Sequence, residues 1–146
     1  MIFDLSPSFN KDIKITLIDS MRWNGMYDDL VRSMIPQNDG VLLLFDISSR
    51  EDFEGLDACL NLISDSYEIE DFPVLLVGNK MDLGIEIKKE EAEKYQKEKN
   101  LIGYFEASSK TGLNVIKSFD FIVDFIIKKE KEEEILITNY LKNFNK

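Results

Sequence analysis

The run Val-Leu-Leu-Val-Gly-Asn-Lys-Met-Asp at residues 74–82 decides the fold. Four consecutive aliphatic residues and a glycine read as a strand buried on both faces of a parallel sheet, and open α/β sheets bind ligands just beyond such strand ends. The loop that follows is Asn79-Lys80-Met81-Asp82. An ionised Asp82 accepts from N1–H and the exocyclic amine of guanine together, whereas adenine offers neither donor and would leave a partly buried carboxylate unpaired. Lys80 has an apolar stem suited to one face of the ring. A tetrapeptide of this kind arises by chance in roughly one chain of this length in fifty, so its surroundings must carry the assignment. The plain alternative is a solvated strand-to-helix loop holding two charges and an amide.

Residues 104–115 read Tyr-Phe-Glu-Ala-Ser-Ser-Lys-Thr-Gly-Leu-Asn-Val, a short apolar strand, a loop of small residues and the start of an amphipathic helix. This segment resembles the second base-recognition loop of the Ras superfamily, and its wording is closest to the Rab branch. Its distance from Asn79 fits, and both loops follow strands. The stretch Asp-Ile-Ser-Ser-Arg-Glu-Asp-Phe from Asp46 is also Rab-like. The resemblance implies that the Ser109 backbone N–H meets guanine O6, that the Ser108 hydroxyl braces Asp82, and that Lys110 covers the second ring face. Asn79, Lys80 and Asp82 complete the guanine-binding set.

Composition narrows the class. A chain of 146 residues with 44% hydrophobic content buries one core, and a net charge of −10 disfavours nucleic acid and anionic lipid alike. The single cysteine, Cys59, falls among Leu56, Leu60 and Ile63 in an expected helix, which suits a small apolar residue in a reducing compartment. With no histidine, an imidazole base is excluded. No apolar run spans a bilayer and no cysteine near residue 146 is placed to carry a prenyl group, so the expectation is a cytoplasmic chain without its own lipid anchor.

Alternating patterns predict strands at 1–5, 13–19, 41–46, 74–78 and 102–106, with helices near 26–37, 51–68, 87–99 and 114–134. The expected fold is α/β: a Ras-like G domain of the P-loop NTPase class over 1–134, lacking its first strand and first helix, its mixed sheet flanked by helices on both faces. Residues 135–146 form an amphipathic tail. Ile135, Leu136, Tyr140, Leu141 and Phe144 recur there at helical spacing, and such a face ordinarily packs on its own domain. The run Lys-Lys-Glu-Lys-Glu-Glu-Glu at 128–134 reads as the solvated end of a helix.

The sequence holds no G-x-x-x-x-G-K-[ST] phosphate loop, and its seven glycines are scattered. The resemblance begins at the family's second strand, so the phosphate cradle, its lysine, the magnesium-binding hydroxyl and the first switch have no counterpart. Where the family carries Asp-x-x-Gly and a water-positioning glutamine, this chain has Asp19-Ser20-Met21-Arg22-Trp23-Asn24. Only Asp19 matches. In the family it supports Mg²⁺ through water, but one carboxylate without phosphate oxygens is a poor magnesium site, and a strand-end turn is an equal reading. Losing several charge-assisted bonds to phosphate removes on the order of 6 kcal/mol, or about 10⁴ in affinity. The expectation is weak or conditional binding of GTP or GDP, with hydrolysis lost and no catalytic side chain assigned. The alternative is a pseudo-GTPase that serves as an interaction module without nucleotide.

Family topology places the first strand between the third and fourth. Without it the sheet splits into two strands and three, unless the third closes on the fourth or another segment fills the slot. The expected partners are therefore a protein effector, as the resemblance to vesicle-trafficking and signalling proteins implies, or a chain that completes the sheet.

Overall fold

The computed structural model describes residues 2–4, 14–18 and 28–144. Two separate ladders form. An antiparallel pair joins β1 (Ile2–Asp4) to β2 (Lys14–Thr16), with Phe3 opposite Ile15. A parallel sheet of order β3-β4-β5 joins Val41–Asp46, Val74–Asn79 and Gly103–Glu106. The expected split of the sheet is therefore present, and among the described residues no strand pairs with the outer edge of β3.

Parallel neighbours need long crossovers, and helices supply them. Helix α1 spans Asp28–Met34 and passes into a 3₁₀ turn at Ile35–Gln37, where Pro36 cannot extend an α-helical ladder. Between β3 and β4 the single helix expected over 51–68 is two, α2 (Arg50–Glu54) and α3 (Leu56–Ser64), meeting at Gly55. Ser49 caps α2, its hydroxyl accepting from the Asp52 amide at 3.2 Å. Helix α4 (Lys89–Glu98) links β4 to β5, and Arg50 grips the Glu91 carboxylate with both arms of its guanidinium, tying α2 to α4.

Period-2 alternation sends side chains to opposite faces of the parallel sheet. Leu43, Phe45, Val74 and Leu76 pack with Phe53, Leu56, Leu60 and Ala92 of α2, α3 and α4. Leu75 and Val77 turn the other way, toward Ile122 and Val123 of α5, and Ile15 of the hairpin packs on that same cluster. Burial on both faces explains why β4 is aliphatic without alternation: Val74, Leu75 and Leu76 are all fully buried.

Helix α5 runs unbroken over Val115–Phe144, through the charged stretch and into the tail. Neither glycine nor proline interrupts it, and Lys and Glu are good helix formers. The described apolar side chains of the tail do not pack on the domain as their spacing had suggested. Ile135, Leu136, Ile137 and Leu141 are all exposed. Helical periodicity shows that a face exists and leaves open what lies against it.

Candidate functional site

The pairing of β4 with β5 sets Gly78 beside Glu106, which brings the two loops together at the same end of the sheet. Backbone bonds lock them: the Ala107 amide donates to the Gly78 carbonyl at 2.8 Å, and the Met81 amide donates to the Ala107 carbonyl at 3.1 Å. Leaving β4, the chain turns sharply at Lys80, whose φ of 69° is left-handed. Strain at a non-glycine residue persists only where surrounding contacts fix it, and it gathers at ligand sites. The second loop closes through Gly112, at φ 80°, whose amide donates to the Ser108 carbonyl at 2.8 Å. Asn114 then donates from Nδ2 to the Glu106 carbonyl at 2.8 Å, holding the loop against the end of β5.

Within this frame all six candidate base-recognition residues converge. Ser108 is buried, and its hydroxyl donates to Asp82 Oδ1 at 2.5 Å while accepting from the Thr111 amide at 3.2 Å. That donated bond, helped by the Asp82 backbone amide and by Lys110, holds the Asp82 carboxyl below the usual carboxylate range. Lys110 Nζ stands 3.6 Å from Asp82 Oδ2. An ionised carboxylate has about four lone-pair directions, so Asp82 retains capacity for two further donors.

Asn79 and Ser109 form the second contact between loops. Asn79 Oδ1 accepts from both the Ser109 backbone N–H at 3.0 Å and its hydroxyl at 3.1 Å. The amide that the resemblance assigns to guanine O6 is thus engaged by Asn79 here, with the hydroxyl as a second donor to the same oxygen.

Lys80 reaches a partner that sequence reasoning had not placed in the site. Its Nζ donates to Asp46 Oδ2 at 2.6 Å, and the other oxygen, Oδ1, accepts from the Ser48 amide at 2.9 Å and the Ser48 hydroxyl at 2.6 Å. Asp46 is mostly buried, its side chain 12% exposed. The Lys80 ammonium, and then the Ser48 hydroxyl, pull its pKa down from 3.8 to about 2. Asp46 lies opposite Asn79 in the parallel register, one strand over. The signal available in the sequence was its Asp-x-Ser spacing, which favours a local side-chain-to-amide bond.

Asp19, the candidate for water-mediated Mg²⁺, lies outside the described residues. Among those described, no group of three or more His, Cys, Asp and Glu side chains assembles a metal site. The two loops present Asp82, Asn79, Lys80, Ser108, Ser109 and Lys110 at one end of the sheet.

The chain is similar to known proteins. The family model described as "Ras family" matches residues 6–128. Ras-related protein Rab-12 of Homo sapiens is 38% identical over 92 residues, covering 62% of this chain and 37% of that protein. Ras-related protein Rab-18 of Lymnaea stagnalis is 32% identical over 111 residues, covering 73% of this chain and 54% of its own length. Ras-related protein Rab-7b of Bos taurus is 29% identical over 126 residues, covering 82% and 61%. The chain thus spans only part of the length of the relatives it matches. With the family model covering most of the chain and Rab proteins prominent among its relatives, the chain belongs to the Ras family and is Rab-like.

Proposed function

We propose that the chain is a guanine-nucleotide-binding protein that retains the base-recognition half of the site and binds GTP or GDP weakly, or only when phosphate contacts are supplied from elsewhere. The observation that carries this reading is the Ser108–Asp82 bond at 2.5 Å, which orients an ionised carboxylate from one loop using a buried hydroxyl from another. Asn79, Lys80, Ser109 and Lys110 stand around it as the remaining base contacts. Hydrolysis is lost in this reading, because positioning and neutralising the phosphates is most of phosphoryl-transfer catalysis, and no segment of the sequence offers the cradle. Mg²⁺ binding through Asp19 would follow only if phosphates were held.

One observation favours a second reading, that of a pseudo-GTPase serving as an interaction module. Asn79 is satisfied by Ser109, and Lys80 is neutralised by Asp46, so the loops close on themselves without a nucleotide. In either reading the partner is a protein, an effector or a chain that completes the sheet at β3, and the setting is cytoplasmic, in signalling or vesicle traffic. The unit that binds is 1–134, with 135–146 as an appended tail.

Calorimetric titration of the full chain with Mg²⁺-GDP, with Asp82→Ala as control, tests the first reading. Binding of about millimolar strength that disappears in the variant is expected. Absence of heat with both proteins at millimolar nucleotide would favour the interaction module, and equal binding by both would remove Asp82 from base recognition.

A further inference from the structure

The exposed apolar residues of α5 lie on the same side of the helix as buried ones, beyond a charged stretch that holds Lys129, Glu130 and Glu133. At 100° per residue, Leu136, Ile137 and Tyr140 fall within about 60° of Ile122, which with Ile126 packs on the sheet, and Leu141 lies at the margin of the same side, about 100° away. The face stays the same while its surroundings change: Leu136 is 68% and Ile137 60% exposed. Where the helix leaves the domain, it and the loops leading into β3 and β4 border an open surface depression of about 290 Å³. Phe72 and Ile126 form part of its apolar wall, and Asp39, Asp71, Glu130 and Glu133 bring four carboxylates to it. Lys129 also lines the depression, with its ammonium donating to the Asp71 carbonyl. Apolar stripe and acidic corner are thus contiguous.

We infer that this corner and stripe are a docking surface for a basic amphipathic helix of a partner protein. The partner's apolar face lies along Leu136, Ile137 and Leu141, and a lysine or arginine at one end reaches the carboxylates of the corner, a helix-against-helix version of groove recognition. Charge selects this occupant. A second copy of the chain carries the same −10 and presents the same four carboxylates, and an anionic bilayer is repelled for the same reason. The surface lies at the start of β3 and β4, whereas the base loops follow the ends of β4 and β5, so it stands or falls independently of nucleotide binding.

The probe is a synthetic 18-residue helical peptide with leucines on one face and lysines flanking them, and a twin with glutamates for lysines. Binding to the full chain is read by fluorescence anisotropy at physiological salt. The lysine peptide is expected to bind, and to bind at least tenfold more weakly to Leu136→Glu and to the pair Glu130→Lys/Glu133→Lys. The pair Glu54→Lys/Glu90→Lys, which changes net charge equally at a distant surface, should shift binding less than twofold. Leu136→Glu adds negative charge, so its loss of affinity separates stripe contact from general attraction. The proposal is overturned if the distant pair weakens binding as much as the corner pair, or if the glutamate peptide binds as well. It is overturned too if the lysine peptide fails to bind at millimolar concentration, or if the stripe instead drives a dimer that Leu136→Glu dissolves.

Discussion

Asp46 and Asp82 are both held ionised, by different means, and the difference makes Asp46 the better reporter of the site. Asp82 relies first on a hydroxyl, Ser108, whereas Asp46 relies on the Lys80 ammonium. A carboxyl whose folded pKa lies below its unfolded value contributes stability above the unfolded value and loses it as pH falls through the folded one. For Asp46 that window runs from 3.8 down to about 2. The urea midpoint of the wild type is therefore expected to fall more steeply across this window than that of Asp46→Asn, and identical slopes would show that the ion pair is not formed in solution. The residues of the two loops were legible because each motif is contiguous, so identity and spacing state the chemistry together. The Asp46–Lys80 pair was not, since it joins residues 34 apart through a register that only the folded sheet defines.

At the scale of elements, close packing around β4 leaves no room for growth at its glycine. A Cβ at Gly78 would stand 2.8 Å from the Tyr104 hydroxyl and 3.1 Å from the Phe45 ring. Gly78→Ala is expected to cost about 1–3 kcal/mol through overpacking. The same substitution in a Tyr104→Phe background, which removes the nearest atom, should cost less. The coupling is measured by a double-mutant cycle in urea, and simple additivity would mean that Tyr104 is not the obstacle. The five strands were legible because apolar runs bounded by turns have few other readings. Helix limits were less so. Gly55 divides α2 from α3 within a pattern that reads as one helix, and the charged stretch after Ile127 looked like an end when it is a solvated surface of a longer helix.

For the whole molecule, the split into a hairpin and a three-stranded sheet leaves one flank of β3 open among the described residues. The Val41 amide donates to the Pro73 carbonyl and the Ile47 amide to the Asn79 carbonyl, so odd-numbered amides of β3 point toward β4 and even-numbered ones point away. Leu44 is half exposed in mid-strand. Amide hydrogen exchange at Leu42 and Leu44 is expected to outpace that at Leu43 and Phe45 by orders of magnitude. Equal protection would mean that a strand occupies the flank. The split was anticipated from family topology, while the position of the hairpin against the α5-side core, through Ile15, was not, because nothing local in a strand states which cluster it will cover.

The central proposal is recognition of a guanine base by the two loops that meet at Asp82 and Ser108. The most direct test is the amide NMR spectrum of the labelled chain titrated with GMP and, separately, with AMP. GMP is expected to shift the Ser109 amide as its N–H exchanges Asn79 for the purine oxygen, AMP to leave it in place, and Asp82→Ala to abolish the response to GMP. Equal shifts with both nucleotides, or a response to GMP that survives Asp82→Ala, would contradict it.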